Sequence, residues 1–193
     1  MLSPFKSESF RVTSPYGNRT SPITGAPEFH GGIDLVCDAS DNIISVSDGV
    51  VITSTIITDH NNVSWQWGNY VKVLGADGVS VFYCHMARRM AVQGQRVSVG
   101  DLIGIEGATG QVTGKHLHFE CRRGVTKISA AEYIGIPNTV GTYTVPVVPA
   151  IQVITEYDKL VADKCGLEAQ TLDYINKYRF AKDFWHKIWL KIK

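Results

Sequence analysis

From Ile43 to Cys121 the chain alternates short runs of β-branched and aromatic residues with glycine-bearing turns, and no other feature constrains its fold as much. Ile43 to Val46 and Val50 to Ile57 flank Ser47-Asp48-Gly49, which reads as a hairpin. Tyr70 to Leu74 and Val79 to His85 flank Gly75-Ala76-Asp77-Gly78, a second hairpin in which Val81, Tyr83 and His85 share one face. Val97 to Gly104 and Glu106 to Gly110 continue the series. Closely spaced strands with glycine punctuation predict a mainly β domain, an antiparallel sheet or barrel-like arrangement.

The last strand of the series carries the chemistry. In Gly114-Lys115-His116-Leu117-His118-Phe119-Glu120, polar and apolar residues alternate from His116 onward. A period of two puts His116, His118 and Glu120 on one face and Leu117, Phe119 and Cys121 on the other. Two imidazoles with a hydrophobic anchor behind them suit a rigid metal site, while an exposed H-x-H pair can also be two solvated histidines.

Upstream, Ser14-Pro15-Tyr16-Gly17-Asn18-Arg19, Ser21-Pro22 and Thr24-Gly25-Ala26-Pro27 predict a loop-rich lead-in with little regular structure. It delivers the chain to His30-Gly31-Gly32-Ile33-Asp34-Leu35. A catalytic zinc takes three protein ligands from histidine and carboxylate and keeps a fourth position open. His30, Asp34 and His118 offer such a set. Two neutral imidazoles and one carboxylate leave zinc a net positive charge, which can lower the pKa of a water from about 16 toward roughly 7 and polarise a carbonyl. His116, beside a ligand on the same strand face, and His85, on a neighbouring strand, suit proton transfer and oxyanion stabilisation.

His30-Gly31-Gly32-Ile33-Asp34 resembles the H-x-G-x-D segment of the lysostaphin-like (LytM-type) zinc metallopeptidases, which cut peptides in bacterial peptidoglycan. Gly114 to Glu120 is similar to their G-x-H-L-H-F-E strand, and Tyr83-Cys84-His85-Met86 to their Y-x-H-L segment with Met for Leu. Trp67-Gly68-Asn69-Tyr70-Val71 and the run from Gly94 to Gly110 follow the same family order. The resemblance covers roughly residues 10 to 125 and implies an antiparallel β fold with a groove across it. It assigns zinc to His30, Asp34 and His118 and catalysis to His85 and His116, leaving open which of the two histidines is the base. It implies a zinc endopeptidase acting on stem peptides or cross-bridges of peptidoglycan. The runner-up is a non-enzymatic cell-wall-binding or phage tail structural protein that keeps the fold.

Other residues have two readings. Glu120 either orients a histidine or pairs with an arginine. Tyr16, Asn18 and Arg19 either touch substrate or only form the turn. Trp65 and Trp67 line the groove wall or serve as core and rim aromatics. His60 and His186 are expected to be solvated.

The chain of 193 residues suits one domain with a small appendage, and 44% hydrophobic with 19% charged residues is ordinary for a folded protein. A net charge of +1 gives no electrostatic reason for nucleic-acid binding, and no apolar run is long enough to span a bilayer. Met1 to Lys6 lacks the pattern of a secretory signal, so synthesis in the cytoplasm and delivery to the cell wall by a phage particle or after lysis are expected. Cys37, Cys84, Cys121 and Cys165 are expected to be buried, unpaired thiols. The peptidase domain is expected over 1–137 and an extended linker over 138–149. Apolar residues at helical spacing predict a small C-terminal α-helical appendage over 150–193. There Trp185 and Trp189 lie near Lys182, Lys187, Lys191 and Lys193, a face for neighbouring helices or another subunit in preference to a membrane or cell-wall polymer. A short helical end of this kind resembles those of phage or prophage lysins and tail proteins.

Overall fold

The structure, a computed structural model, describes residues 2–145. The expected helical appendage, residues 146–149 of the expected linker and Cys165 lie outside the described residues. Fourteen strands are described, beginning with β1 (Ser9–Ser14), β2 (Gly17–Thr20), β3 (Pro27–His30), β4 (Ile33–Val36), β5 (Asn42–Ile44) and β6 (Gly49–Ile56). A short 3-10 helix at Val63–Trp67 leads to the long pair β7 (Asn69–Gly75) and β8 (Val79–Cys84). Then come β9 (Arg88–Arg89), β10 (Arg96–Val97), β11 (Leu102–Ile105), β12 (Leu117–Arg123), β13 (Thr126–Ile128), helix α1 (Ala130–Ile134) and β14 (Gly141–Thr144).

All strand pairs are antiparallel. The largest sheet runs β10-β6-β7-β8-β12-β4-β1-β14, with β13 beside β12; β5-β11-β9 and β2-β3 form two smaller sheets. Period-two burial explains the strands. In β1, Phe10 and Val12 are buried while Ser9 and Arg11 face out. The core lies behind the central strands, built from Phe5, Phe10, Ile33, Leu35, Tyr83, Leu117 and Phe119, all essentially inaccessible. Cys37, Cys84 and Cys121 are buried free thiols, as expected.

Four local expectations change. The first thirty residues are not mainly loop, because β1, β2 and β3 alternate with the expected turns. The hairpin across Ser47-Asp48-Gly49 does not form. β5 pairs with β11 and β6 with β7 and β10, so this turn carries the chain from one sheet to another. Its shape is fixed when the Val46 amide donates to the Tyr83 hydroxyl at 3.0 Å and Ser45 Oγ donates to the Ser47 carbonyl at 2.7 Å. The β7–β8 hairpin does form, but β8 ends at Cys84, so His85 does not continue the face of Val81 and Tyr83. Finally, Gly141–Thr144, in the expected linker, is a sheet strand paired with β1 from Ser9↔Thr144 to Val12↔Gly141.

Candidate metal centre and active site

The centre of the large sheet brings two distant segments into register. Asp34 on β4 lies directly opposite His118 on β12, and His118 opposite Cys84 on β8. β3 ends at His30, and the Gly31-Gly32 turn returns the chain into β4. As a result the candidate donors His30, Asp34 and His118 converge. His118 Nδ1 is 2.9 Å from Asp34 Oδ1, His30 Nε2 is 3.1 Å from the same oxygen, and the two imidazole nitrogens are 3.1 Å apart.

The opposite end of each donor group is held by a separate partner. His30 Nδ1 donates to the Pro15 carbonyl at 2.8 Å, which leaves the Nε2 lone pair facing the centre. His118 turns Nε2 toward Glu120 Oε2 at 3.5 Å, leaving Nδ1 inward. Asp34 presents Oδ1 to the histidines while Oδ2 accepts from Arg19 Nη1 at 3.0 Å. Arg19 is in turn fixed by Glu28 at 2.7 Å and by Ser14 Oγ at 2.6 Å. Glu120 therefore does both things considered for it, since it also accepts from Arg122.

Three lone-pair-bearing atoms held this close repel one another unless positive charge sits among them. The chain's own groups show the demand. Burial disfavours a charged His118, yet its hydrogen bonds to Asp34 and Glu120 outweigh that and push its pKa up to about 9. Burial likewise opposes charge on Asp34, but the hydrogen bond from His118 and the closeness of the His30 ring hold its carboxyl well below the usual range. Two imidazoles and a carboxylate with oriented outer partners fit a divalent cation, with a side left open for water or substrate.

Two further imidazoles border the centre. His85 follows β8 with φ 65°, the one described non-glycine residue with a positive φ. This left-handed conformation swings its ring out of the strand's alternation, where position 85 would follow Tyr83 into the core. Its ring centroid comes within 4.8 Å of that of His116 and 5.7 Å of that of His118. His85 Nδ1 donates to the Thr109 carbonyl at 2.9 Å, and His116 Nδ1 to the Gly114 carbonyl at 2.9 Å. Both rings thus keep Nε2 free of backbone, and His116 Nε2 is 3.6 Å from Asp34 Oδ1. Burial, then the neighbouring His118 and His116, lower the His85 pKa to about 3, so it is neutral near pH 7.

All five expected site residues line one cavity of about 310 Å³, together with Arg19, Phe29, Trp67, Gln111 and Lys127. Trp67 is on the cavity wall; Trp65 instead stacks on His60, with centroids 4.3 Å apart. Tyr16 makes its contact through the Lys127 carbonyl and the edge of Phe29. The sequence reading missed the carbonyls of Pro15, Thr109 and Gly114, because a backbone acceptor leaves no side-chain signature. It also missed Lys127 and Phe29, which carry no motif.

A β-sheet that brings two histidines and an aspartate together, with two more imidazoles at the rim of the same cavity, is built like the site of a metal-dependent hydrolase. The family model described as Peptidase family M23 matches residues 28–130, and the chain belongs to this family. Peptidoglycan DD-endopeptidase ShyC of Vibrio cholerae is 38% identical over 111 residues, covering 57% of this chain and 24% of that protein. DD-carboxypeptidase/endopeptidase Mpg of Neisseria meningitidis is 34% identical over 112 residues, 58% of this chain and 24% of that protein. The match thus spans about a quarter of the length of these curated relatives. Among solved structures, a mutant catalytic domain of the prophage-encoded M23 protein EnpA from Enterococcus faecalis is 29% identical with a TM-score of 0.54, covering 70% of this chain and 95% of that one. A zinc-containing peptidase from Vibrio cholerae is 28% identical with a TM-score of 0.58, covering 69% of this chain and 39% of that one. The catalytic domain of lysostaphin from Staphylococcus simulans, 22% identical with a TM-score of 0.56, covers 65% and 92% and shares the fold.

Proposed function

We propose that the chain is a zinc-dependent endopeptidase that hydrolyses peptide bonds in the stem peptides or cross-bridges of bacterial peptidoglycan. The observation that carries this reading is the convergence of His30, Asp34 and His118 beside His85 and His116 in a family M23 chain. His30 Nε2, His118 Nδ1 and Asp34 Oδ1 would hold the ion. When bound, zinc would polarise the scissile carbonyl and acidify a water. The chain's own contribution is orientation and proton transfer. Thr109 and Gly114 fix the tautomers of His85 and His116, so each presents Nε2. The pair supplies a proton acceptor for the attacking water and a donor for the developing oxyanion. Cleavage of wall peptides is supported by the names of the endopeptidase relatives at 34–38% identity. Phage or prophage association is supported by the likeness to a prophage-encoded domain, and purified particles containing the chain would test it. Because β14 pairs with β1, we also place the end of the catalytic domain beyond Thr144 and not at residue 137.

The test is amino-terminal labelling of purified cell walls after digestion, with and without a chelator. New termini that vanish with chelator and return with zinc are expected. A zinc-loaded chain that releases no new termini from walls of any cross-bridge type would overturn the assignment.

A further inference from the structure

The cavity holds a cation that the metal centre does not use. Arg19 is committed to Glu28 and Asp34, whereas the Lys127 ammonium makes no ion pair among the described residues. Its side chain is nevertheless set into the cavity wall. A Cβ built on Gly31, next to the candidate ligand His30, would lie 2.5 Å from Lys127 Nζ and 2.8 Å from Lys127 Cδ. The lysine stem thus lies across Gly31, in space left by the absent side chain. Glu120 Oε2, which is turned to His118, lies 2.7 Å from the same point. The base of Lys127 is anchored as well, its carbonyl accepting from the Tyr16 hydroxyl at 3.2 Å. The Tyr16 ring meets Phe29 edge-on with centroids 5.1 Å apart, and Phe29 is 51% exposed on the cavity wall. An ammonium with no ion pair among the described residues and an exposed apolar ring therefore line the same cavity as the candidate ligands.

We propose that Lys127 is a specificity-determining residue that binds a free carboxylate on the substrate, with Phe29 packing against the aliphatic carbons that carry it. The proposal rests on the peptidase reading for the identity of the substrate as a peptide. An ammonium on a four-carbon stem reads charge with little demand on geometry, so side-chain and terminal carboxylates share the chemistry.

Binding tests this without requiring turnover. Two pairs of synthetic alanine-rich pentapeptides are titrated into the full chain in the presence of chelator. One pair differs only in glutamate against glutamine at the central residue, the other only in a free against an amidated C-terminus. The acid of one pair is expected to bind about two- to fivefold tighter than its amide, the range of a solvent-accessible charge contact, with the preference shrinking at high salt. Lys127→Met is expected to bring that ratio to about one and Lys127→Arg to keep it. The pair that responds identifies the source of the carboxylate. Equal affinity within both pairs, or a preference that survives in Lys127→Met, overturns the proposal. A Lys127-dependent preference in a zinc-loaded chain that cuts no wall would sustain this subsite and sink the endopeptidase reading.

Discussion

Each donor atom in the centre has a chemical reason to point inward, and removing those reasons one at a time gives separable outcomes. Asp34→Ala or His118→Ala is expected to abolish stoichiometric zinc binding and activity together. His116→Ala is expected to spare zinc and lower wall hydrolysis about a hundredfold or more, the usual weight of a general acid or base. Metal analysis beside turnover checks both, and near-normal turnover in His116→Ala would remove it from catalysis. The pH dependence follows from His118. Its folded pKa of about 9 lies above the ordinary histidine value, so in metal-free protein its protonation stabilises the fold below about pH 6.5. That contribution is lost as pH rises through 9. Melting temperatures in chelator should therefore fall between these limits, and the fall should be absent with zinc if His118 is one of its ligands, since the ion would then replace the proton. A flat profile in chelator would contradict the proposed role of the proton. At this scale the sequence was highly legible: all five expected residues reach one cavity, because short motifs spell side chains. The tautomers were not legible, since Pro15, Thr109 and Gly114 act through carbonyls.

At the scale of elements, the turns aim the histidines. Gly110 has φ 83°, and a Cβ there would collide with the Gln66 carbonyl and lie 2.5 Å from the Gly68 amide, both at the end of the 3-10 helix. Its neighbour Thr109 fixes His85 through its carbonyl and accepts the Asn69 amide at its hydroxyl, 2.9 Å away. Gly110→Ala is expected to cost about 1–3 kcal/mol of stability and to lower activity while zinc content is retained. Denaturant unfolding with metal analysis checks this, and loss of zinc would show that the turn supports the ligands as well. Alternation predicted the face of β12 but failed for His85, because a positive φ at one residue breaks the period of two. It failed again at Ser47-Asp48-Gly49, where the turn residues were right and the pairing partners were wrong. A turn signal reports local backbone and says nothing of which strand the next one meets.

For the molecule as a whole, Tyr83 couples the sheets. It is fully buried on β8, meets Phe119 edge-on at 5.5 Å, and accepts the Val46 amide just beyond β5. Burial pushes its phenol well above the ordinary range, so it stays neutral. Tyr83→Phe would leave a buried amide without an acceptor, an expected loss of about 1–3 kcal/mol. Thermal unfolding checks the cost, and an unchanged melting temperature would mean that the turn finds another partner. Among the described residues no helix is long and apolar enough to cross a membrane. What the sequence determined by itself was the set of strands rich in β-branched and aromatic residues, the face of β12, and the identity of the candidate donors. These are properties of adjacent residues, written in periodicity and motif. Only the tertiary structure decided that β4 lies between β1 and β12, that His118 faces Asp34 across 84 positions, and that Lys127 crosses Gly31. Those arrangements arise from burying one continuous core, in which residues distant along the chain compete for the same space, and local sequence does not record the outcome.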